Sequence, residues 1–200
     1  MEEELRKRVC DANRMLPEYG LVVFSWGNAS GLSQNGELVA IKPSGVSYDR
    51  LDPSKIVLVD LDGNVVEGEL NPSSDTKTHL EIYRHFDKVG GVVHTHSTHA
   101  TAWAQACRPI PCLGTTHADT FFGEIPVTRI LSDEDISNDY EYNTGRVIVE
   151  CFEGRDPAAV PACLVCNHGP FVWGETPEEA VRNSVVLEIC AEMAMKTVMI

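Results

Sequence analysis

The chain has no apolar run approaching the roughly 20 residues of a membrane-spanning helix, and a membrane protein is not expected. Basic residues are also scarce. Sixteen Lys and Arg stand against 30 Asp and Glu, a formal charge of −14 that opposes a broad interface with nucleic-acid phosphates, so an anionic ligand needs a local pocket. There is no Walker-type glycine-rich loop, internal repeat, low-complexity tract or linker. The acidic Met1-Glu2-Glu3-Glu4 is the reverse of a signal peptide, which gives a soluble, cytoplasmic protein as the expectation. Seven cysteines, an odd number without an export signal, read as reduced thiols. Cys163 and Cys166 lack a second Cys-x-x-Cys and sit in an apolar pattern, so they read as small core residues, with a Cys166 thiolate ligand as the alternative.

What the chain does have is 43% hydrophobic residues in 200, enough for one domain, residues 1–200, with a real core. Helical spacing of Leu5, Val9, Ala12 and Leu16 predicts a helix over residues 2–18, and further helices are expected over 76–86, 97–107, 141–152 and 176–199. Gly145 is the one blemish in the fourth of these. Thr176 as N-cap, Pro177 at the first position and Glu178–Glu179 in the first turn mark the start of the last. Strands are expected over 21–25, 37–42, 56–59, 91–95, 125–128 and 163–167, with Asp62-Gly63-Asn64 as a hairpin turn before Val65-Val66. The sum is a layered α/β fold, a central β-sheet covered by helices.

His94-Thr95-His96 ends one apolar run, and alternate residues of a strand share a face, so both rings can reach one ion. Alone, the pair could equally be ordinary strand-end histidines. His168, at the end of a second apolar run, tips the reading to three neutral imidazoles around a divalent transition metal with a position left open.

Three polar loops need a role. Trp26-Gly27-Asn28-Ala29-Ser30-Gly31 joins small residues to one amide, Lys42-Pro43-Ser44-Gly45 gathers a cation, a hydroxyl and a backbone amide, and Pro72-Ser73-Ser74-Asp75-Thr76 precedes a helix. Each alone is also an ordinary turn, with Ser74 or Asp75 as N-cap. Together they resemble a sugar-phosphate pocket. In Thr115-Thr116-His117-Ala118-Asp119-Thr120-Phe121-Phe122-Gly123, a carboxylate among aromatics and a histidine suits acid–base work, or Asp119 caps a surface loop.

Asn28 with Ser30-Gly31, Lys42-Pro43-Ser44-Gly45, Ser73-Ser74-Asp75, His94-Thr95-His96-Ser97, Thr116-His117-Ala118-Asp119 and His168-Gly169-Pro170 resemble, in order and spacing, the class II aldolase/adducin superfamily. The resemblance runs from about Leu5 to near the last residue. Asp75, where class II aldolases carry glutamate, and His-Ala-Asp followed by two aromatics and glycine resemble the branch that epimerises L-ribulose 5-phosphate at C4. It implies a class II aldolase fold and a divalent ion, zinc or else manganese or another metal, on His94, His96 and His168, with Asp75 as a fourth ligand. Asn28, Lys42, Ser44, Gly45, Ser73 and Ser74 would hold the phosphate of a pentulose. Asp119 would transfer a proton, Thr115 and Glu141 would support the site, and His117 would orient Asp119 or pack in the core.

Because the C4 hydrogen is not acidic, inversion there implies breaking and re-forming C3–C4 in a retro-aldol sense, with the metal stabilising the charge. The family further implies a fourfold-symmetric homotetramer with active sites at subunit interfaces. The epimerases resembled continue past the last helix with a tyrosine from a neighbouring subunit. Tyr48, Tyr140 and Tyr142 are not at its place, and reduced epimerisation is expected of this chain. Two other readings are a fuculose- or rhamnulose-phosphate type aldolase and a non-catalytic adducin-like module. An amidohydrolase, which also uses His-x-His, needs a (β/α)8 barrel of about 250 residues.

Overall fold

The computed structural model describes residues 2–200. Helix α1 (Glu2–Glu18) is followed by strands β1 (Asn28–Leu32), β2 (Leu38–Ile41), β3 (Val57–Asp60) and β4 (Val65–Glu67). Helix α2 (Thr76–His85), strand β5 (Gly91–His94), helices α3 (Thr98–Gln105), α4 (Thr115–Ala118) and α5 (Asp133–Cys151), strands β6 (Ala162–Leu164) and β7 (Pro170–Gly174), and helix α6 (Pro177–Met199) complete the order. The strands form one sheet, β4-β3-β2-β1-β5-β7-β6, with every neighbouring pair antiparallel.

The period of two sorts the core into layers. Val39, Val57, Val59, Val92, Phe171 and Trp173 turn to one face, where they pack with Leu80 and Ile82 of α2, Val147 and Ile148 of α5, and Phe152 just past its end. Their neighbours Ala40, Leu58, Ala29, Val93 and Val172 turn to the other, under α1, α3 and α6. Helix α1 is pinned to the sheet by Asn13, which donates to the Ala29 carbonyl at 2.9 Å and accepts from the Ala29 amide at 2.8 Å. No helix among the described residues is long and apolar enough to cross a membrane.

Several expectations are corrected. Residues 21–25 form no strand: Phe24 has φ 57° and lies exposed with Val23, so the segment turns outward rather than pairing. Residues 125–128 contribute only isolated bridges, Ile110 to Ile125 and Val127 to Leu164. The small polar run at Asn28–Gly31 is strand β1, and β7 begins on Pro170, which a strand tolerates at its first position. Helix α5 starts at a Ser132 capping box and bends at Asp139, so the anticipated helix is its second half. Cys107 and Cys166 are joined as a disulfide with Cα atoms 4.9 Å apart, so not all seven cysteines are thiols and Cys166 has no thiolate to offer a metal.

Gly145 lets α5 pass close against α2. A Cβ built there would lie 2.5 Å from the Glu81 Cβ and 3.2 Å from the Thr78 Cα, neither of which can swing away. Gly145→Ala is expected to destabilise the protein by about 1–3 kcal/mol despite the better helix propensity of alanine, a sign that a chemical denaturation curve reads directly.

Candidate functional site

The antiparallel register brings the site together. Asn28 of β1 pairs with His94 of β5, and His94 in turn with Phe171 of β7, so the three side chains emerge side by side at one sheet end. His94 is buried and lies flat on Phe171, with ring centroids 4.1 Å apart at 13°. Its Nδ1 donates to the Pro170 carbonyl at 3.0 Å, which turns Nε2 outward. His96 follows just past the strand, and its Nε2 comes within 3.0 Å of that of His94. His168 arrives from the β6–β7 turn, where Asn167 takes φ 65° and the Val165 amide bonds the Gly169 carbonyl.

One nitrogen from each ring lies within 4.8 Å of the others, and the group could hold a metal ion. The fit is chemical as well as spatial. Two nitrogens on a tetrahedral zinc, each at roughly 2.0–2.1 Å, sit about 3.3 Å apart, close to the His94–His96 spacing. Burial, then the neighbouring rings of His94 and His96, push His168 down to about 3, and burial with His94 lowers His96. These rings are therefore neutral near pH 7, with lone pairs available.

The cleft beside them has a volume of about 510 Å³ and is lined by the expected polar loops, including Asn28, Lys42, Ser44, Gly45, Ser73, Ser74 and Asp75. Two loops are stitched together, the Ser44 amide donating to Asn71 and the Ser73 amide to Lys42. The Ser44 amide is thus not free for a ligand. Asp75 precedes α2 but makes no side-chain cap; it turns into the cleft and accepts from Asn28 Nδ2 at 2.6 Å. Burial would raise its carboxyl, but nearby imidazoles and the Asn28 amide outweigh that and hold it below the usual carboxylate range. Lys42 is buried, donates to the Ser25 carbonyl at 3.2 Å and lies 4.9 Å from the Tyr48 ring centre. Burial lowers its ammonium to about 8, against the pull of Asp75.

Gly27 lets the β1 entry pass close to β5. Its φ is +73°, and a Cβ would fall 2.7 Å from the His94 carbonyl oxygen. The Tyr48 hydroxyl donates to the carbonyls of Trp26 (2.6 Å) and Gly27 (2.9 Å), and the Trp26 indole stands on the cleft wall facing His96.

Four expected residues lie outside this cleft in their own chain. Thr115 and Asp119, at the two ends of α4, are exposed. His117 is buried, with Nε2 on the Gly123 carbonyl at 2.7 Å, and it meets Asp119 through backbone, the Asp119 amide donating to the His117 carbonyl. Glu141 contributes its backbone carbonyl to Thr78. Conversely, residue reasoning missed Tyr48 and Tyr140. The Tyr140 hydroxyl lies 3.1 Å from His168 Nδ1.

Residues 7–195 match the family described as Class II Aldolase and Adducin N-terminal domain. An L-fuculose 1-phosphate aldolase is similar at 26% identity and TM-score 0.82, over 97% of this chain and 86% of its own. YgbL from Klebsiella pneumoniae, provisionally described as an aldolase/epimerase/decarboxylase, is similar at 27% identity and TM-score 0.77, over 98% and 90%. The L-fuculose-1-phosphate aldolase of Thermus thermophilus, at 23% identity and TM-score 0.77 over 100% and 97%, shares the fold.

Proposed function

This chain belongs to the class II aldolase and adducin N-terminal domain family, and from that premise we propose that it is a metal-dependent enzyme breaking and re-forming a carbon–carbon bond of a phosphorylated ketose. Its substrate in this reading is L-ribulose 5-phosphate, epimerised at C4 to D-xylulose 5-phosphate. One observation carries the proposal: three imidazole nitrogens converge at the end of a cleft whose wall holds a buried lysine among serines. The reaction needs both, a charge stabiliser at the breaking bond and a grip on the phosphate.

His94, His96 and His168 would hold the ion, with Asp75 as a fourth ligand. A bound zinc or manganese ion would supply Lewis acidity for the oxyanion that develops as C3–C4 breaks. Lys42, Asn28, Ser44, Gly45, Ser73 and Ser74 would hold the phosphate, so that the aldehyde fragment stays in the cleft and can present its other face. Asp75 supports epimerisation over aldol cleavage. Held below the usual carboxylate range by the neighbouring imidazoles and by Asn28, it is a fixed negative charge rather than a proton donor, and proton transfer falls to another group. Asp119, exposed at the end of α4, would serve in the cleft of a neighbouring subunit of a homotetramer, with Thr115 and Glu141 in support.

Aldol cleavage of a ketose 1-phosphate is the second reading, favoured by the likeness to an L-fuculose 1-phosphate aldolase. Released products separate the two. Zinc-loaded protein given L-ribulose 5-phosphate is expected to yield D-xylulose 5-phosphate and no free aldehyde. Dihydroxyacetone phosphate released from L-fuculose 1-phosphate, without epimerisation, would establish the aldolase instead.

A further inference from the structure

We propose that Tyr140 is a positioning residue that aims His168 at the metal, and that the bend in α5 exists to deliver it. The inference rests on the metal-binding reading above. His168 sits on a short turn rather than in a strand, so the sheet does not fix its ring as it fixes that of His94. His94 has the Pro170 carbonyl on Nδ1 and Phe171 beneath it. For His168 the corresponding hydrogen-bond partner is the Tyr140 hydroxyl, 3.1 Å from Nδ1. A phenol oxygen accepting the Nδ1–H holds the tautomer whose Nε2 lone pair is free for an ion.

An unbroken α5 would not set Tyr140 in the same place. At Asp139 the backbone leaves the helix, with φ −163° and ψ 83°, and the second half begins anew. Asp139 caps this restart. Its Oδ1 accepts from the Tyr142 amide at 3.4 Å, and its Oδ2 accepts from Lys77 Nζ of α2 at 2.6 Å. The restarted helix is then docked on α2 by Thr78, whose hydroxyl donates to the Glu141 carbonyl at 2.6 Å, and by the close approach at Gly145. Helix α2 begins beside Asp75. One rigid pair of helices therefore carries both the carboxylate in the cleft and the hydroxyl behind His168.

The test measures metal affinity, not turnover. Wild type, Tyr140→Phe and Tyr140→His are titrated with Zn2+ against a chromogenic chelator, and the metal-free proteins are melted as a fold control. Loss of a partner behind a metal-ligating histidine costs about 10–100-fold in affinity, and that loss is expected for Tyr140→Phe. Tyr140→His returns a ring nitrogen able to accept and is expected to recover part of it. A residue that merely filled space would give the opposite order, because phenylalanine is the better replacement for packing. Equal affinity in wild type and Tyr140→Phe, or a histidine variant no tighter than the phenylalanine one, overturns the proposal. A wild type that binds no zinc overturns it together with the metal reading, whereas zinc-binding wild type with an unchanged phenylalanine variant overturns it alone.

Discussion

His94→Ala is expected to lose zinc binding and to lower kcat/KM by at least about 1,000-fold, the largest effect of any single substitution in the cleft. The three rings form a nearly equilateral triangle, centroids 4.7–5.1 Å apart, and His94 is its buried corner. Without it the remaining candidate ligands are His96 past the strand end, His168 on a turn and Asp75, with no imidazole held by the sheet. A metal contributes several kcal/mol of charge stabilisation to such a reaction, and each 1.4 kcal/mol is roughly tenfold in rate, which sets the magnitude. The change also removes a buried ring stacked on Phe171, so the variant melts lower for reasons unrelated to the ion. The discriminating measurement is therefore a difference within each protein. Zinc at 100 times its Kd stabilises the native state by about 2.7 kcal/mol, or about 5–10 °C in Tm for a chain of this size. Wild type should show that shift against a chelated sample and His94→Ala should show none. An equal shift in both would remove His94 from the metal site.

How much of this was legible depends on what each residue faces. His94 and His96 could be paired from the sequence because a strand exit preserves the period of two, and the structure keeps both rings in one cluster. Strand β5 was readable as a short apolar run over 91–95, whereas the layers were not, since the consecutive Val92 and Val93 are both buried, one on each face. Strand β1 was not, because Asn28 and Ser30 are polar on the inward face. Asn28 Nδ2 donates there to Asp75, and Ser30 Oγ bonds the buried His79 and Tyr83, partners that only the fold supplies. Residues 21–25 erred in the other direction: without a sheet neighbour the segment anchors Leu21 in the core and leaves Val23 and Phe24 exposed. The Cys107–Cys166 pairing joins residues 59 apart and has no local signature. Tyr140 was hidden by the bend at Asp139, since a helix read from its apolar spacing begins only after it. The location of Asp119 is a different case. Its motif is legible, but on its own chain it stands outside the cleft, and only the proposed role, not the structure of one copy, brings it to a cleft.

Lys42 gives the second large effect, and its burial gives that effect a pH dependence. Hydrogen bonds to charged groups are worth about 1.5–3 kcal/mol, so Lys42→Met, which keeps the length but not the charge, should raise KM for a sugar phosphate roughly 10- to 150-fold. With its ammonium lowered to about 8, Lys42 is cationic at pH 7 and about nine-tenths neutral at pH 9. The phosphate is a dianion throughout this range. Wild-type kcat/KM should thus fall by about tenfold from pH 7 to pH 9, while the Lys42→Met profile should lack this limb, since kcat/KM reports groups of the free enzyme. Stability must move the other way. The unfolded chain keeps the lysine proton up to about 10.4, whereas the folded chain releases it at about 8. Between these values the unfolded state binds more protons, so native stability rises with pH. Below pH 8 the cost of burying the cation is present in full, and Lys42→Met should be more stable than wild type when no phosphate is bound; that advantage should fade as pH rises from 8 toward 10.4. Those two results together would mark Lys42 as a residue kept in the cleft at a cost in stability for the sake of an anion. A Lys42→Met variant with unchanged KM and the same pH limb would show that the phosphate is held elsewhere.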